Sequence, residues 1–195
     1  MTTTKQSWLK RSLAVLLAVM MVMSMGVANV FAAGTDEVNI PDSNLKAAIN
    51  RQLAKQTGSQ RADDAAVTED DMASLTELVA EDAGITDLTG LDKAVNLETL
   101  DLSGNELSMS SPFETLAFIT GLTSLDLSNN HFTGNLLCAL EMNSLEILDL
   151  SGNRINAIEL GNVTFPNLEK IDLSENYFYQ DESTVGYDAM VRIGI

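Results

Sequence analysis

The sequence LDLSGN occurs twice, at Leu100–Asn105 and at Leu148–Asn153. Two close variants accompany it, LDLSNN at Leu125–Asn130 and IDLSEN at Ile171–Asn176. All four copies belong to the longer pattern L-x-x-L-x-L-x-x-N-x-(L/I/F), and a degenerate earlier copy begins at Leu75. The five copies start 22, 25, 23 and 23 residues apart. A nearly constant period of this length predicts a solenoid in which each coil packs on its neighbours.

Leucines alternate with polar residues inside each copy, which is the periodicity of a strand with one buried face. One coil cannot bury its own leucines, so the neighbouring coils must cover them. Each buried leucine contributes about 2 kcal/mol, and a stack of coils therefore has a continuous apolar spine. The pattern is the leucine-rich-repeat signature. It predicts an α/β leucine-rich-repeat solenoid with a curved parallel sheet on the concave face, 3₁₀ or short helices on the convex face, and a helical N-terminal cap.

An asparagine ends the strand in each of the four clear copies. Its side-chain amide can pair with backbone groups of the turn that would otherwise be buried without partners, at about 1–3 kcal/mol each. The sequence predicts a structural ladder of these asparagines along the solenoid: Asn105, Asn130, Asn153 and Asn176. Ala83 interrupts the ladder in the first copy, where terminal repeats are expected to be atypical.

Residues 36–74 are predicted to form the N-terminal cap, and residues 75–195 a solenoid of about five repeats with a short C-terminal cap segment. Leu45, Ala48, Ile49 and Leu53 have helical spacing, with Asp42 or Ser43 as N-cap and Gly58 as the stop. A second short helix is predicted after the N-cap Thr68, with Asp71 three residues on.

Residues 1–32 have the pattern of a secretory signal peptide. A basic stretch with Lys5, Lys10 and Arg11 precedes the apolar run Leu13–Met23, and small or aliphatic residues precede a cut after Ala32. The run is shorter than the ~20 residues of a membrane-spanning helix, and the rest of the chain has no stretch that could span a membrane. We therefore expect an extracellular or cell-surface protein. Cleavage leaves 8 Lys and Arg against 28 Asp and Glu, a formal charge of −20.

This acidic balance disfavours nucleic acid and anionic lipid as partners. A single cysteine, Cys138, excludes an internal disulfide and is expected to be a packed apolar residue. His131 is the only histidine; Ser128 lies nearby, but no second His or Cys completes a nucleophilic site, and the sequence has no phosphate loop or zinc spacing. We expect no catalytic residues, no metal site and no cofactor.

The segments VNIPDSNLKAAINRQL and VTEDDMASLTELVAEDAGITDLTGLDKAVNLETLDLSGN resemble the N-terminal cap and first repeats of internalin-like leucine-rich-repeat proteins of Gram-positive bacteria. The resemblance covers roughly residues 38–178. It implies an exported, non-catalytic protein that binds proteins or glycans. The later repeats depart from that family: they are longer, and NNHFTGNLL is similar to the extracellular plant-type repeat. Their longer convex segments are expected to carry helical turns.

Outward residues between the leucines form columns on the predicted concave face, and this face is the candidate ligand site. The first column is Thr99, Ser124, Ile147 and Lys170; the second is Asp101, Asp126, Asp149 and Asp172; the third is Ser103, Ser128, Ser151 and Ser174. We expect the aspartates to be solvated, since a flat column does not supply about six oxygens converging on one cation. The aromatic pair Tyr177 and Tyr179 is an alternative contact patch.

Two functional hypotheses remain open at this stage. The first is a secreted or surface interaction module, predicted to be monomeric, with a protein or glycan ligand. The second is a structural spacer or the N-terminal module of a larger surface-anchored protein.

Overall fold

The computed structural model describes residues 36–108, 115–137, 142–159 and 165–178. The predicted signal peptide at 1–32, Cys138 and Tyr179 lie outside the described residues, as does the predicted C-terminal cap segment beyond Phe178.

Five three-residue strands form one parallel sheet, in which each strand comes from a separate repeat. The strands are β1 (Glu77–Val79), β2 (Thr99–Asp101), β3 (Ser124–Asp126), β5 (Ile147–Asp149) and β7 (Lys170–Asp172), in the spatial order β1-β2-β3-β5-β7. The central leucine of each strand is paired with that of the next, from Leu78 through Leu100, Leu125 and Leu148 to Ile171. The repeated six-residue copies therefore lie side by side, and the predicted solenoid fold is confirmed.

A second, two-stranded parallel sheet follows the turns of two repeats. Strand β4 (Thr133–Leu137) pairs with β6 (Arg154–Glu159), with a register shift between Gly134 and Asn135. The sequence did not predict these strands, although β4 falls within the plant-type segment NNHFTGNLL. They form because the chain after each asparagine stays aligned with the coil before it: Arg154 N donates to Phe132 O and Tyr177 N to Ile155 O, both at 2.8 Å.

The convex side carries short helical turns, as expected. A 3₁₀ helix spans Leu91–Lys93 in the first full coil. In the next coil Thr115 and Leu116 are helical, and residues 109–114 before them lie outside the described residues. Buried aliphatic side chains from both sides of each coil meet in one continuous core, which includes Leu91, Leu97, Leu116 and Leu122.

Two helices precede the solenoid. Helix α1 (Ser43–Thr57) has Asp42 as N-cap and the left-handed Gly58 as C-cap, and it buries Leu45, Ala48, Ile49 and Leu53. Helix α2 (Glu69–Ala73) begins with a capping box, in which Asp71 N donates to Thr68 Oγ1 and Thr68 N donates to Asp71 Oδ2. These caps explain where both helices begin, since they satisfy backbone N–H groups of the first turn.

The asparagines predicted to form a ladder connect neighbouring coils. Asn130, which is buried, accepts a hydrogen bond from Leu107 N at 3.0 Å and donates to Leu102 O of the preceding coil at 2.9 Å. It also donates to Leu127 O and Ser128 O of its own turn, both at 3.1 Å. The same arrangement recurs at Asn105, Asn153 and Asn176.

Candidate functional site

The outward side chains of the five-stranded sheet are set by strand alternation. Because Leu100 and its equivalents point into the core, the residues on either side of them face out. The first column runs Thr99, Ser124, Ile147 and Lys170 in register, and Glu77 extends it by one strand. Ile147 and Lys170 are exposed, with 42% of Ile147 accessible, whereas Thr99 and Ser124 are half-buried. The side chains of these four residues make no hydrogen bond among the described residues, so they are available for contact, whereas Glu77 is paired with Lys55 of helix α1.

The aspartate column has a different role from the one expected. Asp101 Oδ1 accepts hydrogen bonds from Ser103 N at 3.0 Å and Ser103 Oγ at 2.7 Å. Asp149 Oδ1 accepts from Ser151 N at 2.9 Å and Ser151 Oγ at 2.6 Å. One oxygen of each aspartate is thus committed to the turn that ends its strand, in the manner of an Asx-turn. Asp172 accepts from both the amide and the hydroxyl of Ser174 in the same way, whereas Asp126 accepts only from the amide of Ser128.

The serine column therefore does not face outward along its whole length. Ser103 and Ser128 are 8% and 6% exposed, and the expectation that they face a ligand is wrong. Ser103 is held by amide and hydroxyl bonds to Asp101, and Ser128 by its amide bond to Asp126. Among the four, Ser174 alone is exposed, and its two hydrogen bonds hold the pKa of Asp172 below the ordinary value. The recurring D-x-S spacing is the sequence signal for these turns.

The concave face is acidic in composition. Exposed glutamates precede three of the strands, in addition to the aspartates: Glu98, Glu146 and Glu169. Lys170 is the one basic side chain in the two outward columns described above. Two apolar side chains interrupt the charge, Ile147 and Val79, and 44% of Val79 is accessible. The arrangement offers a polar surface with isolated aliphatic contacts.

Nothing in the described ranges forms a recognisable reaction centre. His131 Nδ1 lies 3.2 Å from Glu106 Oε2 on the loop after the asparagine turn, and both side chains are exposed. Within those ranges, no group of three or more His, Cys, Asp and Glu residues could hold a metal ion. No helix in the part of the chain that the structure describes has the length and apolarity to cross a membrane.

The alternative aromatic patch is described only in part. Tyr177 is 63% exposed and follows the last asparagine of the ladder. Its backbone amide donates to Ile155 O at 2.8 Å, which fixes its place beside strand β6. Its partner in the predicted patch, Tyr179, lies outside the described residues.

Comparison with known proteins supports the fold. Residues 40–176 match the family of the leucine-rich-repeat domain of the endo-beta-N-acetylglucosaminidase EndoS. An internalin (InlF) from Listeria monocytogenes has 21% sequence identity and a TM-score of 0.54, over 72% of this chain and 45% of that chain. The predicted resemblance to internalin-like bacterial repeat proteins is confirmed.

A structure of CBM51-2 and INT domains of Clostridium perfringens ZmpB, in complex with GlcNAc, has 32% identity and a TM-score of 0.41. The match covers 53% of this chain and 20% of that chain. The chain thus spans about a fifth of the ZmpB chain and under half of the internalin chain. No curated protein sequence matches it.

Proposed function

Because the chain belongs to the family of the EndoS leucine-rich-repeat domain, we propose that it is a non-catalytic binding module that works outside the bacterial cell or on its surface. The observation that carries the proposal is the first column of the sheet, in which Thr99, Ser124, Ile147 and Lys170 form no side-chain hydrogen bond among the described residues. In a solenoid, successive coils present such a column as one continuous surface.

The binding residues proposed on the concave face are, in the first column, Thr99, Ser124, Ile147 and Lys170, and in the second, Asp101, Asp126, Asp149 and Asp172. The structure favours the first column as the source of specificity, because each aspartate has one oxygen engaged in its turn. The second oxygen of the aspartates would contribute a negative field that selects against acidic ligands. The ligand class is a protein surface or a glycan, bound by a monomer.

Export is part of this proposal and rests on the sequence of residues 1–32. Expression of the full chain in a Gram-positive host should place it in the medium or on the cell surface, and N-terminal sequencing should begin at Ala33. Retention of the uncleaved chain in the cell would contradict export.

A second candidate is a spacer or an N-terminal module that presents other domains. It is favoured by the coverage of the matched chains, since this sequence accounts for only 20% and 45% of their lengths. The gene sequence beyond the last codon distinguishes the two: continuation into further domains supports presentation.

The binding test compares variants on and off the concave face. The purified exported chain is used to capture partners from host extracellular proteins and to probe a glycan array. Lys170→Glu and Ile147→Lys should abolish capture of any specific ligand, whereas Lys93→Glu, an exposed lysine on the 3₁₀ helix, should leave it unchanged. Asp149→Lys is a poorer test, because it also breaks the turn at Ser151. A ligand retained by both concave-face variants would contradict this assignment of the site.

A further inference from the structure

The last described coil is less well covered than the coils before it. In the inner coils the strand leucines are buried, as Leu125 and Leu148 are. At the equivalent position of the last described coil, Ile171 is half-buried, although it packs against the same core. The solenoid therefore presents an apolar end face, made of the half-buried residues Phe165, Leu168, Ile171, Leu173 and Phe178.

The backbone at this end has an unused donor. Among the described residues, strand β7 has β5 as its only neighbour in the sheet. In the inner coils, the amide that follows each strand donates to the next coil. Leu127 N donates to Asp149 O at 2.8 Å, and Leu150 N donates to Asp172 O at 2.9 Å. Leu173 N is the equivalent donor of the last coil, and within the described ranges no acceptor pairs with it. A further strand in the same register would supply that acceptor.

The sequence beyond the last described coil contains a sixth copy of the strand pattern. Met190, Ile193 and Ile195 have the L-x-x-L-x-L spacing, and each lies 22 residues after its equivalent in the fourth clear copy. This interval equals the first interval between the repeats. Tyr187 continues the apolar position three residues before the pattern, after Ala94, Ile119, Met142 and Phe165. Residues 190–195 lie outside the described residues.

The connecting chain is long enough to reach the end face. Met190 follows Phe178 by 12 residues, and Leu97 follows the equivalent Ile85 by the same number. In the first full coil this length forms the whole convex side, including the 3₁₀ helix Leu91–Lys93. A connection of equal length can therefore return the chain to the edge of β7.

We propose that residues 190–195 dock on the end face as a sixth strand, parallel to β7 and in the register of the other repeats. Ile193 and Ile195 then cover the apolar end face, and Leu173 N donates to Gly194 O. A terminal helix is the other element that these apolar residues allow, and it would bury Val191 together with Tyr187. It would leave the donors of β7 unused, so the open edge favours the strand.

The docked strand adds one residue to the concave face. In the repeat register Arg192 lies beside Lys170, on a strand about 4.8 Å away. Arg192 thus continues the first column and becomes a further contact to the ligand. This role of Arg192 rests on the proposed function, whereas the docking of the strand does not.

Cross-linking tests the register. In a Cys138→Ala background, the pair Lys170→Cys and Arg192→Cys should form a disulfide under mild oxidation, because neighbouring strands lie within the Cα separation of about 4.4–6.8 Å that a disulfide spans. The matched control pairs Lys170→Cys with Gly194→Cys, which lies about 6.7 Å further along the strand and should stay unlinked. Peptide mass spectrometry after cleavage at glutamates detects the link. Equal linking of both pairs, or of neither, would overturn the proposal.

Unfolding distinguishes the strand from a terminal helix. Ile193→Asp should lower the urea midpoint of the purified exported chain, because it places a carboxylate in the apolar end face. Val191→Asp, at the position equivalent to the exposed Glu169, should leave the midpoint nearly unchanged. A midpoint lowered as much by Val191→Asp as by Ile193→Asp would indicate the helix, and no change in either variant would mean that the segment does not dock.

Arg192→Glu tests the added contact in the capture and glycan-array assays. It should lose any ligand that Lys170→Glu loses. A ligand lost with Lys170→Glu but retained with Arg192→Glu would remove Arg192 from the site. Cross-linking and unfolding need no ligand, so failure of the docked strand is distinguishable from failure of the proposed function.

Discussion

At the scale of single residues, two side-chain positions hold the coils in register. The asparagine of each turn donates a hydrogen bond to a carbonyl of the preceding coil and accepts one from an amide of that same coil. It thus replaces hydrogen bonds that neither strand can supply. Beside it lies a column of left-handed residues that alternates between glycine and larger side chains: Asp82, Gly104, Asn129, Gly152 and Glu175. The alternation has a steric reason, since a Cβ on Gly104 would lie 2.1 Å from Asp82 Oδ1 and one on Gly152 would lie 2.3 Å from Asn129 Oδ1.

We expect Asn130→Ala to lower the free energy of unfolding by about 3 kcal/mol, because it leaves several buried backbone groups without partners. Asn130→Asp should also be destabilising, since it keeps the acceptor for Leu107 N but loses the donor. Urea unfolding measures both. Asn176→Ala is the matched control, and its half-exposed position should make its cost smaller; an equal or greater cost would contradict this account of the ladder.

Gly104→Ala is expected to destabilise the fold for two reasons. A left-handed alanine costs about 1 kcal/mol, and the clash with Asp82 adds to it. In an Asp82→Gly background the clash is absent, so the cost of Gly104→Ala should fall to about 1 kcal/mol. A double-mutant cycle by urea unfolding tests this. If the changes in the free energy of unfolding caused by Gly104→Ala and Asp82→Gly simply add in the double variant, the steric coupling is refuted.

At the scale of elements, polar side chains of the cap join pieces that are distant in the chain. Asp42 accepts from Leu45 N in the first turn of α1 and also from Thr86 N and Asp87 N of the first repeat. Arg61 lies between α1 and α2, donating to the buried Asn50 and to both oxygens of Asp71. Asp42 thus joins the cap to the solenoid, whereas Arg61 joins the two helices of the cap to each other.

Replacing Arg61 by alanine should cost about 2–3 kcal/mol in urea unfolding, because Asn50 Oδ1 and the carboxylate of Asp71 both lose a charged donor. Arg51→Ala removes an arginine whose ion pair with Asp63 is exposed, and it should change stability little. A similar loss in the two variants would mean that the buried network does not stabilise the cap.

The Asp71 carboxylate makes the cap sensitive to acid. Burial raises the pKa of Asp71, but the hydrogen bonds from Arg61 and Thr68 outweigh it and the net pKa is lowered. Its stabilising effect is thus present above the unfolded pKa of about 3.9 and is lost as the pH falls through the lower folded value. The stability difference between wild type and Asp71→Asn should be constant at neutral pH and shrink below about pH 4.

Urea midpoints measured from neutral to acidic pH give this difference. Asp64→Asn, at an exposed turn position, is the matched control and should show little difference from wild type throughout. A stability difference between wild type and Asp71→Asn that grows as the pH falls would contradict the predicted direction of the pH dependence.

At the scale of the whole molecule, the chain combines a continuous apolar spine with an excess of negative charge. The spine is buried to within a few per cent in the inner coils, from Leu75 to Ile155, whereas Leu168, Ile171 and Leu173 of the last described coil are half-buried. The charge is uneven: acid dominates the concave face, and the basic residues concentrate on α1. Partners of opposite sign would therefore meet different parts of the surface.

Self-repulsion of the acidic groups predicts that salt stabilises the protein. With a formal charge of −17, raising NaCl from about 20 mM to about 500 mM shortens the screening length to a few ångströms and should raise Tm. Differential scanning calorimetry measures the change. The same titration on a variant with several surface glutamates replaced by glutamine should show a smaller rise, and a fall in Tm with salt would contradict the expectation.

The sequence by itself determined the coils, their period, the inward leucines and the caps of both helices, because these depend on local alternation and on side chains a few residues apart. Only the tertiary structure decided the rest. The D-x-S spacing is visible in the sequence, but that it engages the aspartates and buries Ser103 and Ser128 follows from the turn geometry. The β4–β6 pair and the Asp82–Gly104 contact both require neighbouring coils in place. They arise between residues that the chain separates by about twenty positions or more, where a periodic pattern specifies alignment but not which atoms meet.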